Sequence, residues 1–241
     1  MTNREKYILS IYEELSDMGK HENVKLVKNT VNDGIYIKKT LKNYNIEIYK
    51  ILKNRQIKGI PKVYEIIEDE KELIIIEEYI HGLTLDKKYN KTDVETVKKI
   101  MEQLCNILKQ LHNMNPPIIH RDIKPTNIMV SNDDVVYLVD FNISREYDEN
   151  QSVDTVIMGT QGYASPEQCG FAQTDCRSDI YSIGMLMKNI LMVDEYPDKE
   201  TKRLKRIIDK CTSIDPGKRY KNIEKLEQAL NNKLGERISL Q

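Results

Sequence analysis

His120-Arg121-Asp122-Ile123-Lys124-Pro125-Thr126-Asn127 lies between two apolar segments, and Asp140-Phe141-Asn142 follows one predicted strand pair later. A lone Asp or Asn at a turn usually bonds its own backbone. An ordered string of this length with a partner motif at a set distance is far more specific. Moving a phosphoryl group needs a carboxylate that orients a hydroxyl and accepts its proton, together with oxygen ligands that hold Mg²⁺ against a triphosphate. Asp122, Asn127 and Asp140 are residues of that kind at usable spacing.

Working outward, 241 residues hold one substantial domain or two closely packed lobes, with no room for a large sensor domain beside them. The chain is 39% hydrophobic and 31% charged with formal net charge -1, so it offers no basic field for nucleic acid. Cys105, Cys169, Cys176 and Cys211 show no CxxC pair and no zinc spacing, which reads as free thiols in a reducing compartment. The stretch MTNREKYILSIYEEL has no apolar core of signal-peptide length, and no later run is long enough to span a membrane. The expected location is the cytoplasm.

The first third reads as short strands: KLVKN, IYIKKTL after the turn Asn32-Asp33-Gly34, then KVYEIIE and LIIIEEYI around the charged turn Asp69-Glu70-Lys71. NIEIYKILKN, with Ile46, Tyr49 and Leu52 at helical spacing, predicts one short helix packed on that antiparallel sheet. From about residue 92 the period becomes helical, through Val94, Val97, Ile100/Met101, Leu104, Ile107/Leu108 and Leu111, with Thr92 and Glu95 as a capping box. After a second strand pair, NIMV and VVYLVDF, three further helices are expected in SDIYSIGMLMKNILM, TKRLKRIIDKC and IEKLEQALN. The class is α+β, a small antiparallel β lobe with one helix and a larger, mainly helical lobe.

With these motifs in view, the sequence resembles the eukaryotic-like serine/threonine protein kinase family, in a compact bacterial-type form, from about Tyr12 to Leu230. The resemblance implies a single kinase domain over residues 1–241, with an N-lobe of about 1–79, a hinge of about 77–83 and a C-lobe of about 84–241. It implies Asp122 as catalytic base, Lys124 as the charge neutralising the moving phosphoryl group, Asn127 as second-metal ligand and Asp140 as principal Mg²⁺ ligand. Gly159-Thr160-Gln161-Gly162-Tyr163-Ala164-Ser165-Pro166-Glu167 looks like the end of an activation segment, and Glu167 is expected to pair with Arg219. Asp179, in a segment similar to the family's buried central helix, is expected to brace the catalytic-loop backbone.

The small lobe matches the family less closely. Leu15 to Val24 stands where a phosphate-covering loop has three glycines, yet keeps only Gly19 and adds Asp17 and Glu22. Lys39 is the choice for the phosphate-binding lysine because Ile37 then shares its face of the strand, with Lys38 as the alternative. Glu47 on the short helix is the expected partner of that lysine, at a shorter interval than the family's. Gly19, Val24, Lys39, Glu47 and the backbone of Glu78 and Ile80 form the expected ATP site. Glu77 falls at the gatekeeper position, where a solvated strand end is the plain reading. His21, His81 and His112 receive no role.

ATP and Mg²⁺ are the implied cofactors, with Mn²⁺ as an alternative ion. The implied partners are proteins offering a serine or threonine, including a second copy in trans-autophosphorylation, with no nucleic acid and no membrane. Arg121 beside the base suggests a phosphate acceptor at Ser152 or Thr155, whereas Thr160 reads as a substrate-positioning hydroxyl. Asn142 replaces a glycine after Asp140-Phe141, and the span from Met192 to Lys202 is too short for the usual docking helix. Two rival readings share the fold: a scaffold that binds nucleotide and transfers nothing, and a small-molecule kinase, against which the activation-segment match argues.

Overall fold

The structure, a computed structural model, describes residues 1–18, 23–69, 72–148, 159–170, 173–193, 195 and 197–232. A capped helix α1 (Asn3–Ser10) leads into strand β1 (Tyr12–Asp17), followed by β2 (Val24–Asn29), β3 (Ile35–Leu41), helix α2 (Ile46–Asn54), β4 (Val63–Asp69) and β5 (Glu72–Glu78). The strands form one antiparallel sheet in the order β1-β2-β3-β5-β4. The alternating segments that predict strands all lie in this sheet, while α1 and β1, which lack a clean apolar period, are additions to that reading.

Register decides which side chains share a face, because directly opposed residues point the same way. Val24 is opposite Lys39, Leu26 opposite Ile37, and Ile37 opposite Glu77. These residues lie on one face, where Ile37, Lys39 and Glu77 are buried. The other face carries Tyr36, whose ring meets Tyr12 and Tyr64 edge-on at 5.6 and 5.0 Å.

Beyond β5 come β6 (Gly82–Thr84), α3 (Leu85–Lys88) and the long helix α4 (Val94–His112). The predicted apolar stripe of α4 is its buried side, from Val97 to Leu111. Asp93, rather than Thr92, caps it by accepting from Thr96 N at 2.9 Å; an aspartate one residue later satisfies the same orphan amides. Next are β7 (Ile118–Ile119), β8 (Ile128–Ser131), β9 (Val136–Leu138) and β10 (Arg145–Glu146), in two small antiparallel sheets. Helices α5 (Cys176–Ile190), α6 (Lys199–Cys211) and α7 (Ile223–Asn231) complete the helical lobe. Gly184 lets α5 and α6 touch, since a Cβ there would stand 2.5 Å from that of Cys211. One apolar core runs from the α2–sheet contact through α4 into α5, α6 and α7.

Candidate active site

The catalytic-loop string lies between β7 and β8, and the loop is held in a conformation that side chains rarely adopt. Arg121 has φ +70° and Asp140 φ +68°. A non-glycine residue there costs on the order of 1–3 kcal/mol and persists only where its surroundings over-determine it. Two buried side chains do so for Arg121. Asp179, from the first turn of α5, accepts from His120 N at 3.0 Å and Arg121 N at 2.9 Å. From the other side, Gln168 Nε2 donates to the Arg121 carbonyl at 2.7 Å.

Asp179 has a third partner, Nε2 of His112 at 2.8 Å, at the last turn of α4. Burial alone would raise this carboxyl, but the His112 ring and the loop amides outweigh it and hold Asp179 below its ordinary range. Burial likewise pulls His112 down, yet the bond to Asp179, with Cys176 beside it, pushes the imidazole up to about 10. His112, given no role from sequence, is therefore a buried brace under the loop through its bond to Asp179.

Asp122 is the hub of the loop. Its Oδ1 accepts from Thr160 Oγ1 at 2.7 Å, and its Oδ2 accepts from Lys124 Nζ and Asn127 Nδ2, each at 2.8 Å. Lys124 also donates to Thr160 Oγ1 at 2.8 Å, so the stretch that begins at Gly159 is tied to the loop through a hydroxyl. Asn127 also donates to the Asp122 carbonyl at 3.0 Å, which directs its amide nitrogen inward and leaves its oxygen as the atom for a cation.

Asp140 Oδ1 is buried with no hydrogen-bond partner among the described residues. An unpaired buried carboxylate oxygen is costly, and a divalent ion is the chemistry that satisfies it. Among the described residues no group of three His, Cys, Asp or Glu could hold a metal by itself. A divalent ion can be held by one or two side-chain oxygens together with substrate phosphates. Asp140 and Asn127 thus fit such an ion.

Lys39, on β3, lies near enough to Asp140 to feel its charge. Its Nζ lies 2.5 Å from Glu77 Oε1, with both side chains 10% exposed. Burial would lower the ammonium, but the carboxylates of Glu77 and Asp140 outweigh it and hold it above its ordinary value. Lys38 points to the opposite face and bonds Glu14 at 2.8 Å, which distinguishes the two lysines. The partner expected from sequence is corrected: Glu47 bonds Lys50 at 2.8 Å, and its side chain is 60% exposed. Glu77 is correspondingly no solvated strand end.

The buried face of α2 presents Ile48, Tyr49 and Leu52. Tyr49 Oη donates to Asn142 Oδ1 at 2.6 Å, linking α2 to the Asp140 segment. Glu78 lies at the end of β5, where its N–H donates to the Lys62 carbonyl at 2.9 Å. Ile80 is buried two residues on. Val24 opens β2 opposite Lys39, and Met18 N, just after β1, donates to its carbonyl at 2.8 Å. Gly19, Glu22, Ser152 and Thr155 lie outside the described residues.

Glu167 and Arg219 form the expected pair, Nη1 to Oε1 at 2.6 Å and Nη2 to Oε2 at 2.9 Å. Arg219 also donates to the carbonyls of Ser213, Arg177 and Ile214, so all five of its N–H groups are used. Ser178 Oγ adds a bond to Glu167 at 2.8 Å. Sequence reasoning missed Gln168, Tyr49, His112 and the role of Glu77. Each is a single residue whose partner is distant in the chain, and a local pattern carries no sign of that.

A family model described as the protein kinase domain matches residues 15–234. The chain is 30% identical over 200 residues to the "Probable serine/threonine-protein kinase" of Clostridium acetobutylicum, covering 72% of this chain and 30% of that protein. It is 29% identical over 196 residues to serine/threonine-protein kinase D of Synechocystis, covering 71% of this chain and 38% of the relative. Over 121 residues it is 36% identical to serine/threonine-protein kinase PknB of Mycobacterium tuberculosis, covering 48% of this chain and 19% of the relative. The chain thus spans well under half the length of these curated relatives. Among its described residues no helix is long and apolar enough to cross a membrane.

Proposed function

Because this chain belongs to the protein kinase domain family, we propose that it transfers the γ-phosphoryl group of ATP to serine or threonine hydroxyls of proteins, itself included. The observation that carries the reading is the Asp122 cluster: one carboxylate bonded by Lys124, Asn127 and Thr160 on a loop locked by Asp179. Asp122 accepts the proton of the acceptor hydroxyl as its oxygen bonds the γ-phosphorus and the bond to the ADP oxygen breaks. Lys124, next to that carboxylate, offsets charge on the phosphoryl oxygens, and Thr160 orients the acceptor.

Asp140 and the Asn127 oxygen hold Mg²⁺, with Mn²⁺ as the alternative ion. When bound, the ion neutralises phosphate charge and orients the triphosphate. Lys39 holds the α- and β-phosphates, Val24 and Ile37 cover the adenine, and the Glu78 and Ile80 backbone meets its edge. The N-lobe of about 1–79, the hinge of about 77–83 and the C-lobe from about 84 divide the work between nucleotide and acceptor. A non-catalytic scaffold has less support: the bonded Asp122 carboxylate, the buried Asp140 oxygen without a partner among the described residues and the buried Lys39 favour a working site.

The test is transfer of labelled γ-phosphate from Mg-ATP to the protein itself and to generic protein acceptors, comparing wild type with Asp122→Asn and Asp140→Asn. Transfer by the wild type that is lost in both variants supports the reading. A wild type that binds nucleotide but transfers nothing, with Mn²⁺ as well, overturns it.

A further inference from the structure

The sheet, rather than the helix beside it, supplies the carboxylate for Lys39. In the register of β3 and β5, Ile37 is opposite Glu77 and Lys39 is opposite Ile75. Lys39 and Glu77 are therefore diagonal neighbours on one face, a separation that long side chains span. Both side chains are 10% exposed, and the contact is 2.5 Å. A carboxylate buried this deeply is costly unless it is paired, and Lys39 is its ion-pair partner among the described residues.

Helix α2 offers no competing group. Its first-turn acid, Glu47, faces solvent and bonds Lys50 three residues along the same helix. The α2 side chain that lies close to the charges is Tyr49, which is 2% exposed and feels the carboxylates of both Glu77 and Asp140. Its hydroxyl goes to Asn142. A phenol thus occupies the inward position of α2, and it bonds the segment after Asp140.

We propose that Glu77 is the positioning residue for Lys39, so that the lysine is set by the β3–β5 register and not by the placement of α2. The proposal rests on Lys39 being the phosphate-binding lysine of the proposed kinase. Its consequence is a lysine held ready whether or not α2 moves, with α2 acting through Tyr49 and Asn142 on the cation ligand instead. The acid at the rear of the adenine pocket, an odd choice for a wall that meets an apolar base, thereby acquires a purpose.

The test compares wild type, Lys39→Ala, Glu77→Gln, Glu47→Ala and the double variant Lys39→Ala/Glu77→Gln in two assays: the Kd for Mg-ATP by calorimetry, and kcat and KM for ATP. Glu77→Gln keeps the volume and removes the charge, so a space-filling role would tolerate it. The expected result is a loss of roughly tenfold or more in Kd and kcat/KM for Lys39→Ala and for Glu77→Gln. The double variant should be little worse than either single change, because one unit is removed in each case. Glu47→Ala should stay within about twofold. Glu77→Gln within twofold of wild type, or Glu47→Ala falling tenfold, would overturn the proposal. Should Glu77→Gln fail to fold by thermal melting, the exposed Glu47→Ala variant still decides, together with Lys39→Met/Glu77→Met, in which the buried charges leave together. A wild type that binds Mg-ATP but transfers nothing would end the kinase reading, yet the Kd comparison would still judge Glu77.

Discussion

Two of the buried ion pairs among the described residues, Arg219–Glu167 in the helical lobe and Lys39–Glu77 in the β lobe, are built differently. Arg219 and Glu167 use every donor of the guanidinium, two on the carboxylate and three on backbone carbonyls, with the Tyr181 ring stacked 4.9 Å away. Lys39 has a single ion-pair partner among the described residues, Glu77, and three N–H donors to place. The first pair is saturated and holds structure. The second is left with donors to spend on a ligand, and it faces Asp140, whose own inner oxygen is unpartnered among the described residues. A buried charge that is fully satisfied braces, and one that is partly satisfied is available to bind.

The sharpest way to break this contrast is at the hub between the pairs. Asp122→Asn keeps the shape of the loop and removes the proton acceptor, so kcat should fall by about 10²–10⁴-fold with little change in melting temperature. Steady-state phosphoryl transfer checks it, and retention of more than a tenth of the activity would remove Asp122 from the role of base. At the saturated pair the same class of change should act on stability. Glu167→Ala leaves a buried arginine unpaired and is expected to destabilise by about 3–5 kcal/mol. Denaturant unfolding reads it, and a loss below about 1 kcal/mol would mean that the carbonyl bonds of Arg219 suffice.

Much of this contrast is legible in the amino-acid sequence. The string from His120 to Asn127 and the Asp140 motif locate the site because their roles depend on short, constant spacings. The pairing of Glu167 with Arg219 follows from two motifs read together. Strand alternation finds the sheet, and placing Ile37 and Lys39 on one face follows from a period of two. What stays hidden depends on distant partners. Glu77 stays open between a gatekeeper acid and a solvated strand end because nothing local says that a diagonal lysine lies across the neighbouring strand. His112 reads as idle because Asp179 is 67 residues away. The family resemblance assigns Glu47 to the lysine, while the turn of α2 sends it to solvent and turns Tyr49 inward.

The His112 brace gives a smaller effect with a definite sign. A histidine whose folded pKa lies near 10, against about 6.5 when unfolded, binds its proton more tightly in the native state. Its contribution is complete below about pH 6.5 and fades as pH rises toward the folded value. The stability gap between wild type and His112→Gln should therefore be widest near pH 6 and narrow steadily up to pH 10. Asp179, held below its ordinary range, stays ionised throughout that window. Unfolding free energies at several pH values check this, and a gap that widened with pH would show that the ring is neutral in the native protein.

The mildest change asks most directly what α2 is for. Tyr49→Phe deletes one hydroxyl and the 2.6 Å bond to Asn142, leaving the ring in place. One such bond is worth about 1 kcal/mol, so stability should fall by about that much and kcat by no more than about fivefold. Asn142→Gly removes the same bond from the other end. The double variant should thus lie closer to the single variants than to their sum, apart from the added backbone freedom of glycine. The decisive quantity is KM for ATP. With Lys39 held by Glu77 on the sheet, loosening α2 leaves the lysine in place and KM should stay within about twofold, whereas Glu77→Gln raises it. A large rise in KM for Tyr49→Phe would mean that α2 governs Lys39 after all, and the two pairs would then differ in their hydrogen bonds without differing in purpose.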